Sequence, residues 1–318
     1  MTPEDNHSQD TNYALSQMAE AYIREQKRKR RWGIFYKSVF AGLIVASLII
    51  YSNEDKDTVG RKLKPHAGLI NINGPIFDSS PSNADTIASS LEKAYKAPGL
   101  KGIILRINSP GGSAVQADYI FHEVRRQKKL HPKIKIIAVC SDLCASAAYY
   151  IAASADEIYA NPNSLVGSIG VVFDGFGFTG AMQKVGVERR LITAGKYKGF
   201  MDPYSPAKPA EEKQLQAMLS QVHERFKQQV NKGRGDRLHA TEDTYTGLIW
   251  TGTEAKTMGL VDHFGSAGTV ARKVYGIHDV IDYTYKQNYM DVLAKQFGAG
   301  ALSEFAKYMG LSQNLTLK

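Results

Sequence analysis

The sequence predicts an α/β fold in which parallel strands are joined by crossover helices, and three observations carry that prediction. Residues 102–108 include Ile103-Ile104-Leu105 and Ile107, a near-continuous apolar run of the kind a strand buried on both faces requires. The run stops at Ser109-Pro110-Gly111-Gly112, a strong breaker. A second apolar run, 134–139, follows after a helix-length interval, so strands and helices alternate.

Taken in order, a strand is expected at 68–72, and residues 83–97 have helical spacing through Ile87, Leu91 and Tyr95. After the strand at 102–108 and its glycine turn, a helix is expected at 113–130 and the second buried strand at 134–139. Asp142 then precedes a helix of small residues at 145–155. A helix near 180–185, a strand near 187–193 and a long helix from about Pro209 to Lys232 follow. No internal repeat or low-complexity segment stands out.

Composition bounds the rest. The chain has 318 residues, 43% apolar and 22% charged. That is a globular composition with enough length for a sizeable core; wholesale disorder, collagen and coiled coil are excluded. Two cysteines exclude a disulfide framework and a four-cysteine zinc site. No P-loop and no HExxH helix is present, so no nucleotide, metal or other cofactor is implied. Net charge is +9, and the body lacks a long basic stripe, so no nucleic-acid partner is expected; an anionic lipid surface suits the charge as well.

Residues 1–31 read as a polar tail ending in Lys27-Arg28-Lys29-Arg30-Arg31, and 32–51 as an apolar anchor. Twenty residues at ~1.5 Å each span about 30 Å, the thickness of a hydrocarbon core. Lys37 can snorkel, and Trp32, Tyr36 and Tyr51 lie where interfacial rings are favoured. The basic flank holds the N-terminus in the cytoplasm and puts the body across the membrane. A cleaved leader is the alternative, but Ile49-Ile50-Tyr51-Ser52-Asn53-Glu54 has no small-x-small site. Residues 52–65 read as a linker, 66–284 as the folded body and 285–318 as an amphipathic C-terminal segment.

The candidate chemistry is a serine, a lysine and a glycine turn. Ser146 follows a buried strand and opens the small-residue helix, so it reads either as an N-cap or as a hydroxyl presented beside free backbone N–H groups. Gly111-Gly112 ends the neighbouring strand, and the amides of Gly112 and Ala147 could converge on one oxygen as an oxyanion hole. Serine needs a base, and no histidine stands between Ser146 and His223. Lys196 and Lys198, in Gly195-Lys196-Tyr197-Lys198-Gly199, are the open candidates; a lysine base needs burial to disfavour its ammonium form, and Asp202 nearby works against that.

The ordered set Asn108-Ser109-Pro110-Gly111-Gly112, Ala145-Ser146 with Tyr149-Tyr150, Ala160-Asn161-Pro162, Gly167-Ser168-Ile169-Gly170-Val171, Gly195–Lys198 and Trp250-Thr251-Gly252 to Gly259-Leu260-Val261-Asp262 resembles the signal peptide peptidase A (protease IV) family of serine proteases in its short bacterial form. The resemblance covers about residues 66–277. It implies a Clp/crotonase-like core of repeated ββα units, Ser146 as nucleophile, Lys198 rather than Lys196 as general base, and Ser168 as the hydroxyl that orients the lysine amine. It further implies a homo-oligomeric ring on the inner membrane, with serine and lysine from neighbouring protomers and an extracytoplasmic catalytic domain. The implied substrates are signal-peptide remnants and small membrane-associated peptides. The sequence departs from the family at Ala147-Ala148, where glycines are common, and at Cys144. A Clp-type triad would need a histidine some two dozen residues after the serine, and Ser168-Ile169-Gly170-Val171-Val172 has none.

Two other readings share this framework: an idle membrane scaffold of the same fold, against which the intact Ser146, Lys198 and Ser168 argue, and a crotonase-type acyl-thioester enzyme. Cys140 and Cys144 read as buried thiols, with a disulfide as the alternative. Tyr149-Tyr150 reads as packing, with one ring able to line a substrate pocket.

Overall fold

The computed structural model describes residues 22–43 and 62–286. The chain divides into two units, 1–61 and 62–318. In the first, residues 22–43 form helix α1, so the basic run Lys27–Arg31 and the start of the apolar segment share one helix. Trp32, Phe35 and Tyr36 cluster on it, with ring centroids 5.6–5.8 Å apart. Residues 44–51 of the expected anchor lie outside the described residues, as do most of the tail, most of the linker and most of the C-terminal segment. Among the described residues no helix is long and apolar enough to cross a membrane.

In the second unit the apolar runs become the sheet. Strands β1 (His66–Asn73), β2 (Leu100–Ser109) and β3 (Ile136–Ala145) lie side by side and parallel. Helices α2 (Ala84–Tyr95) and α3 (Ala114–Leu130) make the crossovers between them. Asn83 caps α2 through the Thr86 amide, and Ser113 caps α3 through the Gln116 amide. Beyond β3 come α4 (Ala147–Ala152), β4 (Glu157–Ala160) and β5 (Leu165–Gly167). Both strands pair with β3, β4 along Ile137–Cys140 and β5 along Leu143–Ala145. After α5 (Thr179–Lys184) and α6 (Pro209–Arg234) come β6 (Ile249–Thr251), α7 (Gly252–Thr257), β7 (His263–Phe264), α8 (Ala267–Lys273) and β8 (Val280–Asp282). The main sheet order is β6-β5-β3-β2-β1-β8, with β7 on β4; only β5–β6 is antiparallel. The main core, including Ile103, Leu105, Ile107, Leu91, Phe121 and Tyr149, packs α2, α3 and α4 on the sheet.

Two expectations change. The strand expected near 187–193 does not form. A strand needs a neighbour for its N–H and C=O groups, and this stretch is exposed, with Ile192 95% accessible. Strand β3 runs through Asp142 instead of ending before it. The pairing with β2 shifts between Ile107 and Ser109, so Cys140 faces Ile107 and Cys144 faces Ser109. Two extra residues are thus accommodated as a bulge, and the strand still carries the chain to Ser146.

A buried ion pair closes the far side of the body. Arg234, at the end of α6 and 2% exposed, donates from Nη1 and Nη2 to the Asp262 carboxylate at 2.9 and 2.7 Å, and from Nε to the Gly259 carbonyl at 2.8 Å. Asp262 also accepts from the Ile158 amide at 2.7 Å, which ties α6 to the start of β4.

Candidate active site

The serine stands at a forced corner. The Ser146 N–H donates to the Gly167 carbonyl at 2.8 Å, and its own carbonyl accepts the Tyr150 N–H at 3.0 Å, opening α4. Its backbone lies at φ 55°, ψ −124°, a region an L side chain rarely enters and that costs about 1–3 kcal/mol. A capping serine adopts extended geometry and accepts from the helix; Ser146 does neither, and its side chain makes no cap hydrogen bond. Ser146 thus holds the N-cap position of α4 that one reading of the sequence gives it, but its side chain does no capping.

The glycine turn lies against that corner. A Cβ on Gly111 (φ +100°) would sit 2.8 Å from Ser146 Cβ and 2.9 Å from the Ala147 nitrogen. A Cβ on Gly112 would sit 2.2 Å from the Ile76 carbonyl oxygen. The turn is held by Ile76, whose N–H donates to Gly111 and whose carbonyl accepts from Ser113. The amides of Gly112 and Ala147 make no backbone hydrogen bond among the described residues. Both residues line one cavity of about 620 Å³, together with Ser146 and Ser168.

Ser168 is the second strained serine, at φ 51°. Its N–H donates to Leu248 at 2.7 Å, and its carbonyl accepts from Gly170 at 2.9 Å in a tight turn. The two serines share the cavity because β5, which ends at Gly167, runs beside the last residues of β3. The rest of the wall mixes apolar and polar groups: Ala114, Val171, Val172, Val222, Phe226 and the rings of Tyr150 and Tyr245 beside His223 and Thr246.

The lysines lie elsewhere in the single chain. Lys198 sits in the exposed turn 195–200, its N–H donating to Gly195 at 3.1 Å, and no lysine lines the cavity among the described residues. Lys196 packs over the Tyr197 ring at 5.2 Å. The carboxylate of Asp202 faces neither lysine: it accepts from Ser205 at 2.7 Å, which helps hold it below the usual aspartate range, and meets Arg189 at 3.4 Å.

The paired tyrosines separate in role. Tyr149 is buried, donates to the Leu260 carbonyl at 2.9 Å, and has its phenol pushed far up by burial. Tyr150 lines the cavity and donates to Asp118 Oδ1 at 2.5 Å; burial, then the Asp118 hydrogen bond, push its phenol up. Cys140 and Cys144 are both free and buried, and burial pushes the Cys144 thiol up. Helix α6 brings residues that sequence reasoning missed. Val222, His223 and Phe226 line the cavity, and His223 Nε2 lies 3.1 Å from the Ile169 carbonyl. Only the apolar stripe of the long helix signalled that one face of it would meet the core, and a half-buried histidine on that stripe carries no pattern of its own.

Comparison with known proteins adds a family. The profile of peptidase family S49 matches residues 128–279. A protein of Brucella abortus named Na(+)/H(+) antiporter NhaA is 37% identical over 221 residues, 68% of this chain and 30% of that protein. A provisionally named signal peptide peptidase SppA of Enterococcus faecium is 32% identical over 204 residues, 62% of this chain and 59% of the relative. A provisionally named protease of Methanocaldococcus jannaschii is 31% identical over 218 residues, 67% of this chain and 69% of the relative. The chain thus spans under two thirds of the Brucella and Enterococcus relatives.

Proposed function

The chain belongs to peptidase family S49, and from that membership we propose that it is a membrane-anchored serine endopeptidase with a Ser146/Lys198 dyad. The observation that carries the proposal is Ser146 itself: a strained serine whose side chain makes no cap hydrogen bond, between two unpaired amides in a cavity. In the proposed reaction, Ser146 Oγ attacks the scissile carbonyl as Lys198 Nζ takes its proton. The oxyanion is held by the Gly112 and Ala147 N–H groups. The tetrahedral adduct collapses to an acyl-Ser146, and the leaving amine receives the proton from Lys198. Lys198 then deprotonates the water that releases the acid. Ser168 holds the lysine amine as a hydrogen-bond partner without charging it.

Assembly is part of the same proposal: Lys198 is supplied by a neighbouring copy in a ring, and the core follows the Clp/crotonase-like plan. Support comes from the segment 171–204, whose apolar side chains stand in the open, Val172 at 83% and Phe176 at 76% exposure. An apolar surface of this kind marks a contact site. Residues 32–51 anchor the ring with the N-terminus cytoplasmic and the catalytic body outside. The substrates are remnant signal peptides and small membrane-associated peptides, whose apolar side chains suit the Val171, Val222 and Phe226 part of the wall.

A fluorophosphonate probe tests the chemistry on the detergent-purified full chain. Wild type is expected to label at Ser146, and Ser146→Ala and Lys198→Ala are not. Labelling at another residue, or undiminished labelling of Lys198→Ala, rejects the dyad. Co-expression of the two inactive variants tests sharing: mixed assemblies should regain partial activity, and inert mixed assemblies reject it.

A further inference from the structure

We infer that His223 is a positioning residue for Ser168, acting through the Ile169 carbonyl. The inference rests on the serine-peptidase reading of this cavity and assigns a role within it that neither the family match nor the motifs supply.

A carbonyl oxygen only accepts, so at 3.1 Å His223 Nε2 must carry the proton and donate to Ile169. That nitrogen donates and so takes no proton from a serine; the role assigned to it is to hold the carbonyl. The Ile169 side chain is fully buried, which fixes the backbone at that residue, and no other hydrogen bond to its carbonyl exists among the described residues. His223 follows the apolar stripe of α6 that includes Phe226 and Val230. An aliphatic side chain there would pack as well but would leave the carbonyl without a donor.

The carbonyl matters because of the residue before it. Ser168 is held at φ 51°, a strained conformation that persists only when its surroundings impose it. Three hydrogen bonds impose it: Ser168 N–H to Leu248, Gly170 N–H to Ser168, and His223 to Ile169. The second holds the N–H end of the Ile169–Gly170 peptide within the turn itself; the third ties its carbonyl end to a long helix. Loss of that bond lets the turn relax and draws the Ser168 hydroxyl away from its working position.

The test compares His223→Leu with His223→Gln in the full chain, since the glutamine amide can donate to the same carbonyl. Three quantities are read: the rate of Ser146 labelling by a fluorophosphonate, kcat and KM on a fluorogenic apolar peptide, and the melting temperature. His223→Leu is expected to slow labelling and lower kcat by about five- to tenfold, the worth of one hydrogen bond. KM should hold, the melting temperature should fall by no more than about 3 °C, and His223→Gln should recover most of the rate. Wild-type kinetics in His223→Leu would overturn the inference. So would a His223→Gln enzyme as slow as His223→Leu, or a loss confined to KM, which would mark a mere wall of the pocket. If His223→Leu fails to fold, His223→Gln decides alone: near wild-type rates support the inference and a fivefold loss overturns it. Failure of the wild type to label at Ser146 would instead sink the peptidase reading, so the two failures are distinct.

Discussion

Replacing Asp262 by asparagine keeps the shape of the buried pair and removes its negative charge. Arg234 is then left as a cation, 2% exposed, facing a neutral amide and one carbonyl. Breaking one side of a buried ion pair costs about 3–5 kcal/mol, because the remaining charge stays desolvated. At ~2.1 cal/mol/K per residue, the roughly 225 described residues of the body unfold with about 0.5 kcal/mol/K of entropy, so the melting temperature should fall by about 6–11 °C. The pH dependence has a definite sign. Burial opposes ionisation of Asp262, but the Arg234 hydrogen bonds and charge outweigh it and hold the folded pKa below the usual aspartate value. A carboxylate depressed on folding contributes stability that is complete above its unfolded pKa and fades as pH falls through the folded one. The gap between wild type and Asp262→Asn should therefore be constant from neutrality to about pH 5 and close in stronger acid, below the ordinary aspartate pKa near 3.9. Differential scanning fluorimetry across pH reads both effects. A loss under about 1 kcal/mol, or a gap that widens in acid, would refute the argument.

Other outcomes follow from the same contacts. Gly112→Ala should push the turn off Ile76, displace the Gly112 amide, and slow Ser146 labelling by about 10²–10³, the usual worth of one oxyanion donor; a wild-type rate would remove Gly112 from the oxyanion hole. Ser168→Ala should cost roughly tenfold or more in kcat with no loss of thermal stability, read by peptide hydrolysis and melting. Tyr150→Phe loses the hydrogen bond to Asp118 and should destabilise the body by about 1 kcal/mol in urea titrations, while leaving the apolar wall in place and KM within about twofold.

Much of the sheet was legible because burial on both faces writes a plain signal: the runs at 102–108 and 134–139 became the centres of β2 and β3. Their ends were less legible. Asp142 looked like a break, yet the bulge against β2 lets a polar residue turn outward, where it bonds Asn108, without ending the strand. The stretch 187–193 has strand-like residues but no strand beside it in the chain, and local preference cannot supply a partner. At the site, Ser146 was legible as a residue and ambiguous as a role; its positive φ goes with the close approach of Gly111 and the bond to the Gly167 carbonyl, which come from two other turns. Ser168 drew notice only through the family pattern. His223 drew no role from the sequence, and only the placement of α6 brings it to the cavity.

The two serines at φ 55° and 51° have a consequence for the history and engineering of this chain. A glycine at either place would adopt the same backbone without steric cost. Selection for heat resistance alone would therefore favour Ser146→Gly and Ser168→Gly, by about 1–3 kcal/mol of strain each less roughly 0.5–1 kcal/mol for glycine's extra backbone freedom, and would erase the hydroxyls one after the other. A library of this protein sorted on thermal endurance should drift toward sturdy, inert variants unless hydrolysis is scored in the same round.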